Sequence, residues 1–385
     1  MKAALTVLLA ISTTVLCIAL LKPLAPKLKL VDYPSGRKKH EGEIPLVGGI
    51  AVWLAFVISL LFIGLTPKLG FLIVAGGMLV FVGAIDDATT LSPRGRLMLH
   101  VCAALVASVL GGVVVGSLGE LILPGKELAL GVFAIPFTVF AIVALVNAVN
   151  MSDGLDGLCG LQVLIPLVGL TFLAGISGDQ ANFLPLLAIC GSLLGFLFFN
   201  LRTPWRRRAS VFLGDAGSNF LGLVLAWFLI DMSQGDDAVL KPVAVLWFAL
   251  LLIYDTVEVV ARRLTRRKSP FAADREHLHH VFLMAKFSVS ESVMTLGAFA
   301  LIGVLIGIVV TYLNVPESAV FAAFILFGLL FLRWIFHTWS VMRFLYRSIC
   351  RRSGERRKAQ ATIPDGVDRR SGKDRRREPP ETSAS

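Results

Sequence analysis

Residues 132–157 read VFAIPFTVFAIVALVNAVNMSDGLDG, an apolar stretch that ends in two asparagines and two aspartates. The apolar part is long enough to cross a lipid bilayer as an α-helix. A helix end that only had to reach water would need one capping side chain, not a run of four polar ones. The stretch therefore predicts a membrane helix that brings functional polar side chains to one surface of the bilayer.

The whole chain has the composition of a membrane protein. It is 56% hydrophobic and 16% charged, whereas soluble domains are about a quarter charged. Because helices satisfy their own backbone hydrogen bonds in lipid, we expect an all-α polytopic membrane protein. A membrane domain would cover residues 1–345, followed by a basic, disordered tail at 346–385. Eleven transmembrane helices are predicted, at residues 3–21, 45–65, 69–85, 97–116, 130–149, 157–176, 181–200, 216–232, 240–260, 293–313 and 318–339.

The Lys and Arg residues orient these spans. The formal net charge is +11, and on this assignment 32 Lys and Arg residues lie on the side of the C-terminus and four on the other. Basic loops stay in the cytoplasm, so the N-terminus is predicted outside and the C-terminus inside. A cleaved signal peptide at the N-terminus is the alternative, and it would oppose this charge rule. The basic loops account for the net charge, so no nucleic-acid partner is expected.

The polar clusters all fall on the predicted cytoplasmic side. Asp86 and Asp87 close the third span, and Asp215 opens the eighth between two glycines. His277, His279 and His280 lie in the last large basic loop. Helix ends that reach water, or a helix cap at Asp215, would explain single polar residues. They would not explain why all the polar clusters lie on the same side of the membrane. We therefore predict that these clusters form one active site at the cytoplasmic surface.

The residue types indicate a metal-assisted reaction on phosphates. Asn150 lies one helical turn from Asn147, and Asp153 and Asp156 follow in a glycine-containing turn. Amide and carboxylate oxygens are hard ligands that suit Mg²⁺. Arg and His side chains near them would bind phosphate oxygens. A zinc site at the histidines is the alternative, although no second His or Cys cluster accompanies them.

Five segments, in this order, resemble the motifs of the polyprenyl-phosphate N-acetylhexosamine-1-phosphate transferases. The resemblance covers residues 30–345 and is closest to the bacterial undecaprenyl-phosphate α-N-acetylglucosaminyl 1-phosphate transferase branch. Five motifs in one order are far more specific than any one of them. The segments are RKKHEGEIPLVGGIAV at 37–52, GAIDD at 83–87, NAVNMSDGLDGL at 147–158, VFLGDAGS at 211–218 and SPFAADREHLHH at 269–280.

This resemblance implies a reaction and its partners. Undecaprenyl phosphate would attack the β-phosphorus of UDP-N-acetylglucosamine, giving the lipid-diphosphate sugar and UMP. The reaction would require Mg²⁺, with Mn²⁺ as an alternative cation, and would initiate O-antigen or related cell-surface polysaccharide synthesis. The enzyme would lie in the bacterial inner membrane with its active site in the cytoplasm, and a homodimer is left open.

The motif positions imply roles for individual residues. Asn150 and Asp215 would hold the metal, and Asp86 and Asp87 would be catalytic. Relatives often carry a third acid in the pattern D-D-x-x-D, but Thr90 stands at that position, so no role of a third acid applies. We favour metal or phosphate positioning by Asp86 and Asp87 over proton abstraction. The predicted substrate-binding residues are Arg96, Asn147, Asp153, Asp156, Arg275, His277, His279 and His280.

Three other functions compete with this prediction. The same chemistry on a GalNAc, QuiNAc or FucNAc donor is the nearest, because one hydroxyl orientation depends on pocket details. The peptidoglycan lipid I translocase is less favoured because of the SPFAADREHLHH segment. A transporter is disfavoured, since the acids lie at one face and not at the midplane, and a non-enzymatic scaffold would leave the polar clusters unexplained.

Overall fold

The computed structural model describes residues 1–32, 43–89, 91–265, 267, 277–313 and 315–352, with side chains up to residue 338. The chain divides into two compact units, Met1–Ile335 and Phe336–Ser385. The helices of the described residues are α1 (Lys2–Leu21), α2 (Gly48–Ile63), α3 (Pro67–Thr89), α4 (Pro93–Leu105), α5 (Ala134–Ser152), α6 (Leu158–Ser177), α7 (Gln180–Asn200), α8 (Gly214–Asp231), α9 (Pro242–Phe248), α10 (Leu250–Thr265), α11 (Leu278–Met284), α12 (Val289–Tyr312) and α13 (Glu317–Arg352).

Short irregular elements complete this helical fold. A π-helical turn, Val106–Leu110, extends α4, and a 3₁₀ turn, Gly131–Phe133, precedes α5. Two short strands, β1 (Val31–Asp32) and β2 (Ile44–Pro45), pair antiparallel. The protein is therefore mostly helical, as predicted. Helix α13 runs on to Arg352, past residue 339 where the last predicted span ends, and the boundary predicted at 345 stays a prediction.

The chain is a multi-pass membrane protein. In the described part, eight helices are long and apolar enough to cross a membrane, and the count is nine if the bent pair α9–α10 is one span. The prediction placed a single span at 240–260, but α9 and α10 meet at 74°. Helix α2 is shorter, with 16 residues. The count of eleven crossings therefore stays a prediction.

Helix α8 lies at the centre of the bundle. Its residues from Ala216 to Ile230 are all buried, and it packs against α2, α3, α5 and α6. Because protein rather than lipid surrounds it, this helix tolerates Asp215 and Asp231 at its two ends. The first turn of α8 is thereby placed among three neighbouring helices, where the polar motifs lie.

Three of the four lysines on the predicted extracytoplasmic side hold helix ends together. The Lys2 ammonium donates to the Ile63 carbonyl at the end of α2, at 2.9 Å. Lys241 does the same at Leu313, the residue that follows α12, also at 2.9 Å. Lys68, at the start of α3, forms an ion pair with Asp231 at the end of α8. These cations offset the partial negative charge of helix C-termini or pair with a carboxylate.

Candidate active site

Glycines allow the polar motifs to meet. A Cβ on Gly217 of α8 would lie 2.5 Å from the Cα of Gly49 in α2, and a Cβ on Gly83 of α3 would overlap the backbone of Ala216. The three helix backbones are therefore in direct contact at these positions, which a larger residue would prevent. Asp86 and Asp87 lie one turn after Gly83 and are thus carried to the start of α8.

Asp87 caps helix α8 from the neighbouring helix. Its Oδ1 accepts the Asp215 N–H at 3.0 Å, and its Oδ2 accepts the Ala216 N–H at 3.4 Å. Leu213, the residue before the helix, provides no side-chain cap. The carboxylate therefore satisfies N–H groups that have no partner within the helix, and it lies at the positive end of the helix dipole.

Arg96 links the two acidic motifs. Its Nη1 lies 3.1 Å from Asp86 Oδ2 and 3.7 Å from Asp215 Oδ2. Asp86 is buried, and its Oδ1 accepts the Leu91 N–H at 2.5 Å. The guanidinium is partly exposed. Arg96 is thus placed both to offset carboxylate charge and to reach an anion that arrives from solvent.

Asn150 and Asp215, the two predicted metal ligands, are in contact. The Asn150 Nδ2 donates to Asp215 Oδ1 and to Ser218 Oγ, both at 2.9 Å. A carboxylate only accepts hydrogen bonds, so the amide nitrogen of Asn150 must face Asp215. These two bonds use the side-chain nitrogen and leave the side-chain oxygen of Asn150, Oδ1, available as a ligand.

The donor set of this cluster fits Mg²⁺. The described residues contain no group of three or more His, Cys, Asp or Glu side chains arranged to hold a metal ion. Mg²⁺ is commonly bound by one or two carboxylates and completes its shell with water and substrate phosphates. One carboxylate from Asp215 and one amide oxygen from Asn150 meet that requirement, whereas a site closed by protein ligands alone would not form here.

Asn147 faces a different neighbour from Asn150. Its Nδ2 donates to the Val143 carbonyl of its own helix at 2.7 Å and lies 3.5 Å from His100 Nδ1 of α4. The two asparagines lie one helical turn apart, but the structure gives them separate partners. The substrate-binding role of Asn147 stays a prediction, to which these contacts add no support.

In the turn after α5, Asp153 and Asp156 of the NAVNMSDGLDGL motif have different surroundings. Asp156 Oδ2 accepts from Arg202 Nε at 2.7 Å and from the Ala209 N–H at 3.1 Å. The Gly157 N–H donates to Asn200 Oδ1 at 2.7 Å. Asp156 therefore ties the turn to the segment between α7 and α8. This position favours a supporting role over the direct substrate contact predicted for it.

Asp153 lies at the exposed rim of the cluster. Surrounding protein removes part of its water, and the charges of Asp215, Asp87 and Asp156 add repulsion, so the pKa of Asp153 is raised above its ordinary value. Its exposed surface allows water to screen these charges, which limits the shift. A cation bound beside it would lower the pKa again.

Asp255 organises the histidine motif. The His277 Nδ1 lies 3.1 Å from Asp255 Oδ2, and the Leu278 N–H donates to Asp255 Oδ1 at 2.8 Å. Since the carboxylate accepts, Nδ1 of His277 must carry the proton. Sequence reasoning missed Asp255, although an acid inside an apolar segment is the kind of residue that marks a functional site in a membrane, and the segment LLLIYDTVEVV holds two, Asp255 and Glu258.

His279 joins the histidine motif to the turn after α5. Its ring lies against Gly154, where a Cβ would overlap Nε2, and it stacks on His277 with centroids 5.7 Å apart. Burial and then the nearby His280 lower the pKa of His279 to about 3. The ring is therefore neutral at pH 7, so that it could bind a ligand through a hydrogen bond but not as a cation. Arg275, also predicted in this motif, lies outside the described residues.

A first prediction concerns Asp255. We expect Asp255→Ala to raise the KM for the UDP-sugar, the soluble substrate that the resemblance implies, by on the order of tenfold, because His277 loses the carboxylate that orients it. Asp179→Ala is the matched control, since Asp179 caps α7 by accepting the Asn182 N–H at 3.1 Å. Both changes should cost about 1 kcal/mol of stability as lost caps. Equal KM values in the two variants would refute the positioning role.

Comparison with known proteins places the chain in a family. The model of "Glycosyl transferase family 4" matches residues 69–233. The undecaprenyl-phosphate alpha-N-acetylglucosaminyl 1-phosphate transferase of Salmonella typhi is 36% identical over 357 residues, which are 91% of this chain and 95% of that protein. The proteins of the same name from Escherichia coli (strain K12) and Haemophilus influenzae are 33% and 32% identical, over 87% and 86% of this chain and 91% and 94% of their own. The chain therefore belongs to glycosyl transferase family 4, within the group of relatives that carry this name.

Proposed function

We propose that the protein transfers N-acetylglucosamine 1-phosphate from UDP-N-acetylglucosamine to undecaprenyl phosphate. The products are undecaprenyl-diphosphate-N-acetylglucosamine and UMP. The observation that carries this proposal is the contact between Asn150 and Asp215, beside Asp87 and Arg96. The names of the relatives support the choice of both substrates.

The reaction forms one phosphorus–oxygen bond and breaks another. An oxygen of the lipid phosphate attacks the β-phosphorus, and the bond from that phosphorus to the oxygen bridging the two phosphates breaks, so UMP leaves with the electron pair. The second pKa of a phosphate monoester is about 6, so the acceptor is mostly a dianion at pH 7 and hardly needs a base. We therefore assign positioning roles to Asp86 and Asp87. Their bonds to Arg96 and to the start of α8 support this assignment.

Asn150 and Asp215 would hold Mg²⁺, with Mn²⁺ as an alternative. The bound cation supplies charge neutralisation on the diphosphate, where negative charge accumulates during phosphoryl transfer. Arg96 would add positive charge from the protein side, because it already lies between Asp86 and Asp215. The protein thus contributes mainly orientation and charge, which is what phosphoryl transfer requires.

The remaining residues would hold the soluble substrate. Asp153 lies at the rim where a nucleotide arrives from water, and its rim position favours a direct contact. His279 would give a neutral hydrogen bond next to the backbone of Gly154. Asp156 would act indirectly, since Arg202 and Ala209 occupy its carboxylate.

The cellular setting follows from the charge pattern and the relatives. We place the protein in a bacterial inner membrane with the N-terminus outside and the active site in the cytoplasm, where UDP-sugars are made. The product would initiate O-antigen or related polysaccharide synthesis. Donors carrying GalNAc, QuiNAc or FucNAc are the alternatives within the same chemistry.

An assay of UMP release tests this proposal. Purified protein with undecaprenyl phosphate and UDP-N-acetylglucosamine should release UMP with Mg²⁺ present, and EDTA should abolish the release until Mg²⁺ is returned. A panel of UDP-sugars at equal concentration identifies the donor with the highest kcat/KM. Absence of UMP release from every donor would refute the proposed reaction, and turnover undiminished by EDTA would refute the metal assignment.

A further inference from the structure

We propose that a small cavity beside the histidine motif binds one water molecule, and that Gln162 of α6 positions the motif through this water. The cavity has a volume of about 10 Å³, which is about the volume that one water molecule requires. A sugar or a nucleotide base is far too large for it. Four leucines and four polar side chains of α5, α6, α10, α11 and α12 line the cavity, and the polar ones are Ser152, Gln162, Asp255 and His279.

Gln162 is a buried polar residue that lacks a donor. It is 5% exposed and lies in the second turn of α6, a helix long and apolar enough to cross a membrane. Its side-chain oxygen, Oε1, is buried, and none of the residues that the structure describes donates a hydrogen bond to it. A buried carbonyl without a donor is costly in apolar surroundings. Ordered water commonly satisfies such groups, and the cavity offers the place for it.

Two other polar groups that line the cavity also act as acceptors. Asp255 accepts the Leu278 N–H at 2.8 Å and faces His277 Nδ1 at 3.1 Å, but each carboxylate oxygen has a further lone pair. Ser152 Oγ donates its proton to the Val149 carbonyl at 2.8 Å, so it can only accept from a bound molecule. Acceptors repel an anion and need a donor. Water, with two O–H groups, therefore fits this lining.

A water in the cavity would connect Gln162 to His279. The His279 ring is neutral at pH 7, so one of its nitrogens donates and the other accepts. A water that donates to Gln162 and Asp255 can accept from His279, which gives it three hydrogen bonds, the usual number for a buried water. The ring nitrogen that bonds to the water would keep its proton. The ring would then keep one tautomer and one orientation against Gly154.

Gln162 is therefore a positioning residue, because it reaches the substrate only through the water and His279. Its oxygen would fix the water, and the water would fix the ring that we assign to the soluble substrate. The consequence for substrate binding rests on the proposed function. The water site itself does not, since it follows from the cavity and from the buried oxygen of Gln162.

Thermal unfolding of Gln162→Leu tests the water site without any substrate. If the cavity binds water, leucine leaves one O–H of that water unpaired, and the Tm should fall by a few degrees. If the cavity bound nothing, the same change would remove an unpaired carbonyl from apolar surroundings, and the Tm should rise. An unchanged or raised Tm would thus overturn the proposal.

The ring nitrogens of His279 give a readout that a loss of stability alone would not change. In full-length protein with isotope-labelled histidine, the nitrogen resonances of His279 are assigned by their loss in His279→Gln. They should show one tautomer in the wild type and a mixture of two in Gln162→Leu. Thr171→Val is the matched control, because Thr171 is buried on the same helix but donates to the Leu167 carbonyl, at 2.7 Å. An unchanged tautomer in Gln162→Leu would refute the positioning role.

Kinetics and an experimental map complete the test. In the UMP assay, Gln162→Leu should raise the KM for the UDP-sugar severalfold with little change in kcat, whereas Thr171→Val should keep the wild-type KM. If the wild type released no UMP, the proposed function would fail, while the Tm and the His279 resonances would still decide the water site. A map of the wild type that resolves ordered waters should show one within hydrogen-bond distance of Gln162 Oε1, and its absence from such a map would contradict the proposal.

Discussion

Gly214→Ala is expected to lower kcat by at least on the order of 10²-fold, the loss that accompanies displacement of a catalytic group by about 1 Å. Gly214 has a φ of +72°, a conformation that costs a residue with a Cβ about 1–2 kcal/mol. The new Cβ would also lie 2.5 Å from Asp87 Oδ2. Asp87 would have to withdraw and would lose its bonds to the first turn of α8, so Asp215 would no longer be held in place.

Gly235→Ala separates the two causes of this effect. Gly235 has a φ of +85°, but nothing lies within 4 Å of the position that a Cβ would take. The backbone strain is therefore similar in the two variants, whereas only Gly214→Ala displaces Asp87. We expect Gly235→Ala to keep its activity in the UMP assay and to lose only thermal stability. Equal activities in the two variants would show that the Asp87 contact has no role in catalysis.

Asp87→Asn should reduce kcat by on the order of 10³-fold at every pH from 6 to 9. The carboxylate accepts N–H groups with both oxygens, and an asparagine would present an NH₂ group to one of them. The variant would lose one charge-assisted bond and gain a repulsive contact, which would disturb the start of α8. Removing one preorganised charge-stabilising group from an active site typically lowers kcat by about 10²–10³-fold. Activity is measured as UMP release, together with the Mg²⁺ concentration that gives half-maximal rate.

Asp86→Asn is compared in the same series, because Asp86 pairs with Arg96 and does not cap α8. Positioning roles predict pH profiles parallel to wild type for both variants, with a raised Mg²⁺ requirement in Asp87→Asn. If high pH restored the activity of Asp86→Asn or Asp87→Asn, that residue would act as a base that removes a proton, and the positioning role would be wrong.

The helical segments and their chemistry could be predicted from the sequence. Apolar stretches of sufficient length become helices in lipid wherever they occur, since the backbone has no other partner there. Most helices of the described part overlap the predicted segments. Besides the break within 240–260, α11 lies outside every predicted segment, the helix that begins with α4 ends at Leu110 and not at residue 116, and α13 runs on past residue 339. Asn150 and Asp215, which the resemblance implies as metal ligands, are in contact, although their roles as ligands stay a prediction.

The bend between α9 and α10 could not be predicted, because a bent helix and a straight helix have the same apolar composition. Close packing of α12 accompanies the bend. A Cβ on Gly303 would lie 2.5 Å from the Trp247 carbonyl, and a Cβ on Gly307 would lie 2.6 Å from the Phe248 ring. Such contacts depend on residues far apart in the chain. The bend precedes Asp255, which then reaches the histidine motif.

The sequence by itself determined which segments are apolar enough for a membrane and which oxygen, nitrogen and cationic groups are available, because hydrophobicity and ligand hardness belong to individual side chains. Only the tertiary structure decided which groups meet. Gly49, Gly83 and Gly217 allow three helices to touch, and this contact brings Asp87 to α8. The fold separately places Asp156, in the turn after α5, against the Ala209 N–H. The tertiary structure also gave the polar residues of the stretch at 147–157 different surroundings, since Asn150 contacts Asp215 whereas Asn147 lies near His100.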